Sequence, residues 1–191
     1  MLFTPKYNII VVGDRNVGKS TLIYGKLKNK FVDPLPPTLN TIQTDINNQI
    51  KLNVDSKPAK LFNWEYPFWL IDTDIVYNKL KSVVYSHCDL ILLCFDISNK
   101  DSLASISEKW IQEILIFAPG IPLIVVGLKS DLRKDGEIWV SRHEGKQMAD
   151  IVGAEIYLEC SAKTGIGINQ VYDEAVRTIR KIPHNKTCTI Q

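Results

Sequence analysis

Eight consecutive residues near the start of the chain have the types and spacing of a phosphate-binding loop. They match the pattern G-x-x-x-x-G-K-[ST] and are, in order, Gly13, Asp14, Arg15, Asn16, Val17, Gly18, Lys19 and Ser20. Glycines let backbone N–H groups turn towards phosphate oxygens, and the N-terminus of a following helix favours negative charge. In this pattern Lys19 reaches the β- and γ-phosphates and acts in catalysis, while the Ser20 hydroxyl binds Mg²⁺. We therefore predict a nucleotide site that continues to Thr21, with ATP and GTP both open.

A second group of residues could recognise the base, because they directly follow two later apolar runs at 122–127 and 155–159. If these runs are parallel strands, their carboxyl ends meet at one edge of the sheet, where the ligands of such sheets bind. The candidate base-binding residues are Lys129, Asp131, Leu132, Ser161, Ala162 and Lys163.

Apolar runs and helical periodicities alternate along the chain. Strands are predicted at 7–12, 48–54, 59–64, 90–95, 122–127 and 155–159, with a hairpin turn at 55–57. Helices are predicted at 18–27, over an apolar stripe from 103 to 117 with Asp101 as N-cap, at 141–152, and from 168 to 179. This order predicts an α/β fold of the P-loop NTPase type, a doubly wound, mostly parallel six-stranded sheet with helices on both faces. We expect one domain over 1–182 and a flexible tail over 183–191.

The bulk composition is that of an ordinary globular protein. The chain has 191 residues, and its net charge of +2 is too small to predict nucleic acid as a partner. The four cysteines have no CxxC spacing, so reduced thiols are expected rather than zinc ligands or disulfides. No apolar run reaches the roughly 18 residues of a membrane span, and the first residues have no signal-peptide pattern. We expect a cytoplasmic protein unless its end carries an anchor.

Four further segments follow a shared pattern: WIQEI at 110–114, FAP at 117–119, VGLKSDLR at 126–133 and ECSAKT at 159–164. In these segments the sequence resembles the Ras superfamily of small GTPases, and within it the Rho branch. The resemblance runs from about residue 7 to 191. It implies that the domain is a G domain whose ligand is GTP or GDP with Mg²⁺. The protein partners that it implies are exchange factors, and effectors that bind from Thr38 to Ile42.

The resemblance also implies a role for each candidate residue. Asp131 would accept hydrogen bonds from the guanine N1 and N2 groups, Lys129 would lie along the base plane, and the Ala162 N–H would read O6. A buried carboxylate left unpaired by the wrong base is costly, so this arrangement predicts guanine. Phe31 would pack edge-on against the base. Thr38 would bind Mg²⁺ only when a γ-phosphate is present, and would act in catalysis.

The sequence departs from the family's pattern after the third strand. There the family has Asp-Thr-Ala-Gly-Gln, whose Asp holds Mg²⁺ through water and whose Gln orients the attacking water. Glu65 takes the Asp position in the alignment that matches best upstream, and Asp72 takes it in an alternative; neither supplies Gly or Gln. Arg15 replaces a glycine and should obstruct the attacking water, although it could instead lend its charge to the γ-phosphate. Leu128 replaces a polar residue that tethers neighbouring loops. We expect slow hydrolysis.

The last four residues, from Cys188 to Gln191, fit a C-terminal prenylation signal. Few basic residues precede them, so one lipid on Cys188 predicts reversible attachment to the cytoplasmic face of a membrane, with the plasma membrane favoured.

Two functions stay open. One is a signalling switch that cycles between GDP and GTP, and the other is a scaffold that keeps GTP and recruits effectors without cycling. The intact loop serves both, whereas the missing Gly and Gln favour the scaffold. An ATP-using kinase or ATPase is disfavoured by Asp131 and the 161–163 segment.

Overall fold

One mixed sheet organises the fold. The computed structural model describes residues 4–31, 49–65, 75–133 and 139–182. The strands are β1 (Lys6–Val12), β2 (Gln49–Val54), β3 (Lys57–Glu65), β4 (Leu90–Asp96), β5 (Leu123–Leu128) and β6 (Ile156–Glu159). The helices are α1 (Lys19–Lys28), α2 (Ile75–Ser86), α3 (Lys100–Ser105), α4 (Ile111–Phe117), α5 (Arg142–Ile151) and α6 (Ile168–Lys181). A π-helical segment (Ile106–Trp110) joins α3 to α4, and a 3₁₀ turn (Ser130–Leu132) follows β5.

The strand order is β2-β3-β1-β4-β5-β6, and every neighbouring pair is parallel except β2 and β3. All residues of β4 and β5 are buried, as expected for parallel strands that helices cover on both faces. In the β2–β3 hairpin, Asp55 and Ser56 have φ values of 53° and 61°, which a tight I′-type turn requires. The predicted doubly wound sheet and hairpin turn are confirmed.

The two faces of the sheet bury separate apolar cores. Along β1, Ile9 and Val11 face the core under α1 and α6, whereas Ile10 and Val12 face the core under α2 to α5. This alternation is the period of two that a strand imposes on its side chains. The apolar stripe predicted for the last helix is confirmed, because α6 buries Ile168, Val171, Tyr172, Ala175 and Ile179.

Helix α2 is absent from the sequence prediction. The signal for it is present in the sequence, because Val76, Leu80, Val83 and Val84 follow one another at helical spacing. Contacts with α4 hold its C-terminal half: the Tyr85 hydroxyl and the Lys81 ammonium both donate to the Glu113 carboxylate, at 3.0 and 2.7 Å. Helices in proteins draw most of their stability from such packing.

The predicted N-cap at Asp101 is wrong. Helix α3 begins at Lys100, and Asn99 is its N-cap, with its side-chain oxygen accepting from the backbone N–H groups of Asp101 and Ser102. Asn and Asp are about equally good N-caps, so the local sequence could not choose between positions 99 and 101. Asp101 lies in the first turn, where its charge still complements the helix dipole.

The cysteines in the described residues are buried free thiols, at positions 88, 94 and 160. Burial raises the pKa of the Cys160 thiol to about 12, so this group stays protonated at neutral pH. Over residues 4–31, 49–65, 75–133 and 139–182, no group of three or more His, Cys, Asp or Glu could hold a metal ion. Within those same ranges, no helix is both long enough and apolar enough to cross a bilayer.

Candidate nucleotide-binding site

The loop 13–20, called the phosphate loop below, joins the C-terminal end of β1 to α1. It turns through three residues with positive φ: Gly13 at 144°, Asn16 at 64° and Gly18 at 111°. A Cβ on Gly13 would lie 2.2 Å from the backbone carbonyl oxygen of Cys94, so only glycine lets the loop leave β1 against β4. The glycine at the first position of the motif is therefore set by a close approach of backbone.

The Lys19 side chain lies inside the phosphate loop. The residue is 5% exposed, and its ammonium donates to the carbonyls of Gly13 and Asp14 at 3.0 and 2.8 Å. Gly18 is the N-cap of α1 and offers no capping side chain, and the first turn contains no acidic residue. The N-terminal backbone N–H groups of α1 and one buried cation thus converge on a site that favours an anion.

A hydrogen bond from a residue distant in sequence holds the side chain of Asp14 in the phosphate loop. The indole Nε1 of Trp110 donates to the Asp14 carboxylate at 2.9 Å, and the Lys109 ammonium lies 4.0 Å from the same oxygen. Trp110 is the last residue of the π-helical segment, and it is 2% exposed. A π-helical turn rotates the residues after it relative to an α-helix, so this segment determines where the indole points.

At the ends of β5 and β6 the candidate base-binding residues contact one another. The Lys129 ammonium donates to the Asn16 carbonyl at 2.8 Å and to the Asp96 carboxylate at 2.6 Å. The Asp131 carboxylate accepts a hydrogen bond of 2.5 Å from the hydroxyl of Ser161, a residue that is 1% exposed. The segments after two neighbouring parallel strands therefore meet beside the phosphate loop, as the strand order predicts.

Two sets of contacts hold these segments in place. The Ser161 hydroxyl accepts from the Thr164 N–H, which closes the turn that contains Ala162 and Lys163. After Leu132, the Arg133 guanidinium forms two hydrogen bonds with the Glu159 carboxylate, at 2.6 and 2.7 Å. Such a bidentate pair fixes orientation as well as distance.

Comparison with known proteins matches this fold and site to one family. The Ras family profile matches residues 8–181. The chain is 35% identical over 188 residues to the GTP-binding protein RHO1 of Candida albicans, covering 93% of this chain and 90% of that protein. It is also 35% identical to RHO1 of Saccharomyces cerevisiae, over 88% of this chain and 81% of the relative. The chain belongs to the Ras family, as a Rho-like small GTPase.

The Rho-like chain brings most, but not all, of the predicted site residues together. Phe31 is the last described residue before 49, follows the end of α1, and is 36% exposed. Arg15 is exposed at the tip of the phosphate loop. Glu65 ends β3, where its backbone is paired with Val11. Thr38, the effector segment from Thr38 to Ile42, Asp72 and Cys188 lie outside the described residues.

Sequence reasoning missed two polar contacts of this Rho-like site. Asp96 binds Lys129, yet in sequence it is only the end of an apolar strand. Trp110 binds Asp14 across 96 positions, yet in sequence it is one residue of an apolar stripe. The one available signal for Asp96 is its position at the carboxyl end of a parallel strand, the edge where ligands bind.

The residues present fit a phosphate with a hard cation. Ser20 places a hydroxyl in the first turn of α1, next to the buried Lys19, and hydroxyl oxygen is a donor that Mg²⁺ accepts. The uncapped helix N-terminus and the ammonium together favour the negative charge that such a cation would accompany.

Proposed function

We propose that this Rho-like chain binds a guanine nucleotide with Mg²⁺, hydrolyses GTP slowly, and acts as a signalling switch at membranes. The observation that carries the proposal is the buried Lys19 ammonium inside the phosphate loop, on the sheet edge where Lys129, Asp131 and Ser161 also meet. A cation for phosphates and a carboxylate for a base are thus held by adjacent strand ends.

At the phosphate end, Lys19 and the backbone of the phosphate loop bind the β- and γ-phosphates. The first turn of α1 adds the hydroxyls of Ser20 and Thr21 to this site. Ser20, Thr38 and Glu65 are the proposed residues of the Mg²⁺ site. When bound, the ion neutralises charge on the β- and γ-phosphate oxygens. Lys19 and Thr38 are the proposed catalytic residues.

At the base end, the Asp131 carboxylate accepts from the N1 and N2 groups of guanine. The Ser161 hydroxyl already orients that carboxylate, so little ordering is left to binding. The stem of Lys129 lies along the base, the Ala162 N–H donates to O6, and Phe31 packs against the ring edge. The backbone of Leu132 and Lys163 completes the walls of the proposed base pocket.

Slow hydrolysis follows from two features of the sequence. Neither Glu65 nor Asp72 is followed by the Gly and Gln that sense the γ-phosphate and orient water in the family. Arg15, exposed in the phosphate loop, places a large cationic side chain where the family has glycine. A misplaced water reduces the rate steeply, because attack needs near-linear geometry.

These same features favour a second candidate function, a scaffold that retains GTP. In that case the chain recruits effectors through Thr38 to Ile42 without cycling. For either function, exchange factors and effectors are the proposed protein partners. The G domain spans 1–182, and the tail 183–191 carries a prenyl group on Cys188 that attaches the protein to the cytoplasmic face of the plasma membrane.

The bound nucleotide and its fate test both functions. Protein purified from its own cells is denatured with acid, and the released nucleotide is identified; GTP supports the scaffold and GDP the switch, whereas ATP overturns both. Single-turnover hydrolysis then compares the natural chain with Arg15→Gly. We expect the Arg15→Gly variant to be about tenfold faster, a change of about 1.4 kcal/mol in the barrier. A rapid rate that Arg15→Gly leaves unchanged contradicts the proposed obstruction.

A further inference from the structure

Asp96 and Lys129 form an ion pair in the interior of the candidate site. The carboxylate oxygen Oδ2 of Asp96 lies 2.6 Å from the Lys129 ammonium, and the side chains are 10% and 36% exposed, respectively. The same ammonium donates to the Asn16 carbonyl in the phosphate loop at 2.8 Å. Lys129 therefore joins three segments, namely the phosphate loop, the end of β4 and the end of β5.

The Asp96 carboxylate is held rigidly before it meets Lys129. Its other oxygen, Oδ1, accepts from the backbone N–H and the hydroxyl of Ser98, at 2.8 and 2.7 Å. Its backbone N–H donates to the Ser102 hydroxyl at 3.0 Å, and its carbonyl accepts from Asn99. Because both carboxylate oxygens have partners, Oδ2 stays directed at the ammonium.

The neighbouring strand explains why a carboxylate at this position matters. Asp96 is paired with Leu128 in the sheet, so the two side chains leave the same face at the same level. Leu128 is 3% exposed, and its Cδ1 would lie 3.7 Å from a Cβ on Gly18. A leucine packs against the phosphate loop but forms no hydrogen bond with it. On the β4 side, the Asp96 carboxylate instead holds the Lys129 ammonium, which in turn donates to the Asn16 carbonyl of the phosphate loop.

We propose that Asp96 is a positioning residue for nucleotide binding, which holds Lys129 in place where Leu128 provides no polar tether. This inference rests on the proposed guanine-nucleotide site. Asp96 acts through Lys129, because its carboxylate fixes the ammonium against the phosphate loop and thereby fixes the lysine stem along the base. Losing the carboxylate frees the stem, so the bound nucleotide loses one wall of its pocket and dissociates faster.

Dissociation of a fluorescent GDP from the full chain with Mg²⁺ tests the inference. We expect Asp96→Ser and Asp96→Asn to speed dissociation about tenfold, because each variant removes the charged acceptor that holds the Lys129 ammonium. The matched control is Asp101→Asn, which removes an exposed carboxylate from the next helix and should leave the rate unchanged. Melting temperatures show whether each variant is folded.

A double-mutant cycle separates positioning from general stability. In a Lys129→Met background, Asp96→Ser should change the dissociation rate less than twofold, because its effect passes through Lys129. An equal effect with and without Lys129, or no effect of Asp96→Ser in the natural chain, overturns the inference. If the natural chain does not bind guanine nucleotide, the proposed function is overturned. If it binds guanine nucleotide and Asp96→Ser leaves the dissociation rate unchanged, only the role of Asp96 is overturned.

Discussion

Single side chains in the candidate site are fixed by partners inside the protein. Lys19 contacts two carbonyls of the phosphate loop, Lys129 contacts a third, and Asp14 accepts from an indole on another helix. Each contact restricts its side chain before any ligand binds, which lowers the entropy cost of ordering that side chain on binding. The phosphate loop itself could be predicted, because its chemistry is local. The Asp14–Trp110 contact could not, since a π-helical segment sets the direction of the indole.

The hydrogen bond from Trp110 to Asp14 should stabilise both the fold and the phosphate loop. Trp110→Phe removes the Nε1 donor and leaves the Asp14 carboxylate without it, which should lower the free energy of unfolding by about 1 to 2 kcal/mol. It should also speed GDP dissociation a few-fold. Urea denaturation and fluorescent GDP dissociation measure the two effects.

A second tryptophan provides the control. Trp139 packs against the same core, but its buried Nε1 has no hydrogen-bond partner among the residues that the structure describes. Trp139→Phe removes a similar ring without removing a hydrogen bond to any residue that the structure describes, so it should cost less. Equal losses for the two variants would show that ring volume, and not the bond to Asp14, accounts for the effect.

Among the elements, helix termini show most clearly what sequence can and cannot specify. Ser141 and Glu144 form a capping box at the start of α5, and this pattern can be recognised from four consecutive residues of the sequence. At α3 two good caps compete, and the choice of Asn99 follows from where β4 ends. Helix α2 has helical spacing in its sequence, but the hydrogen bonds of Tyr85 and Lys81 with Glu113 join residues about 30 positions apart, and no local pattern contains them.

The capping box of α5 should make stability depend on pH in the acid range. Hydrogen bonds from the Ser141 backbone and side chain, then from Lys100, lower the pKa of Glu144 from 4.5 to about 2. A folded pKa below the unfolded value means that the stabilisation is complete above about pH 4.5 and is lost as pH falls towards 2. The carboxylate is part exposed, so the contribution is modest.

Glu144→Gln should therefore lower the free energy of unfolding by about 1 kcal/mol at pH 7, and by less as pH falls below 4.5. Urea denaturation at pH 7 and pH 3 measures the difference. Glu155→Gln, which alters an exposed carboxylate before β6, is the control and should change neither value. A loss with Glu144→Gln that is constant over this range would rule out the capping carboxylate as its origin.

For the whole molecule, the order of strands brings the separate motifs into one site. The parallel arrangement of β1, β4, β5 and β6 places the phosphate loop, Asp96, Lys129 and Ser161 at one edge. Alternating strands and helices predict this edge without coordinates, and so predict that Asp131 and Ser161 meet across 30 positions. The contact of Asp96 with Lys129 could not be predicted, because it depends on side-chain directions at paired strand ends.

Selective binding of guanine nucleotide is the central claim, and competition binding with Mg²⁺ tests it most directly. We expect GDP to displace a fluorescent GDP at least about a hundredfold better than ADP does, because adenine does not offer the Asp131 carboxylate the N1 and N2 donors of guanine. Lys19→Met should abolish this binding, whereas Lys146→Met, which removes an exposed ammonium from α5, should preserve it. Equal competition by ADP and GDP, or full binding by Lys19→Met, would contradict the account.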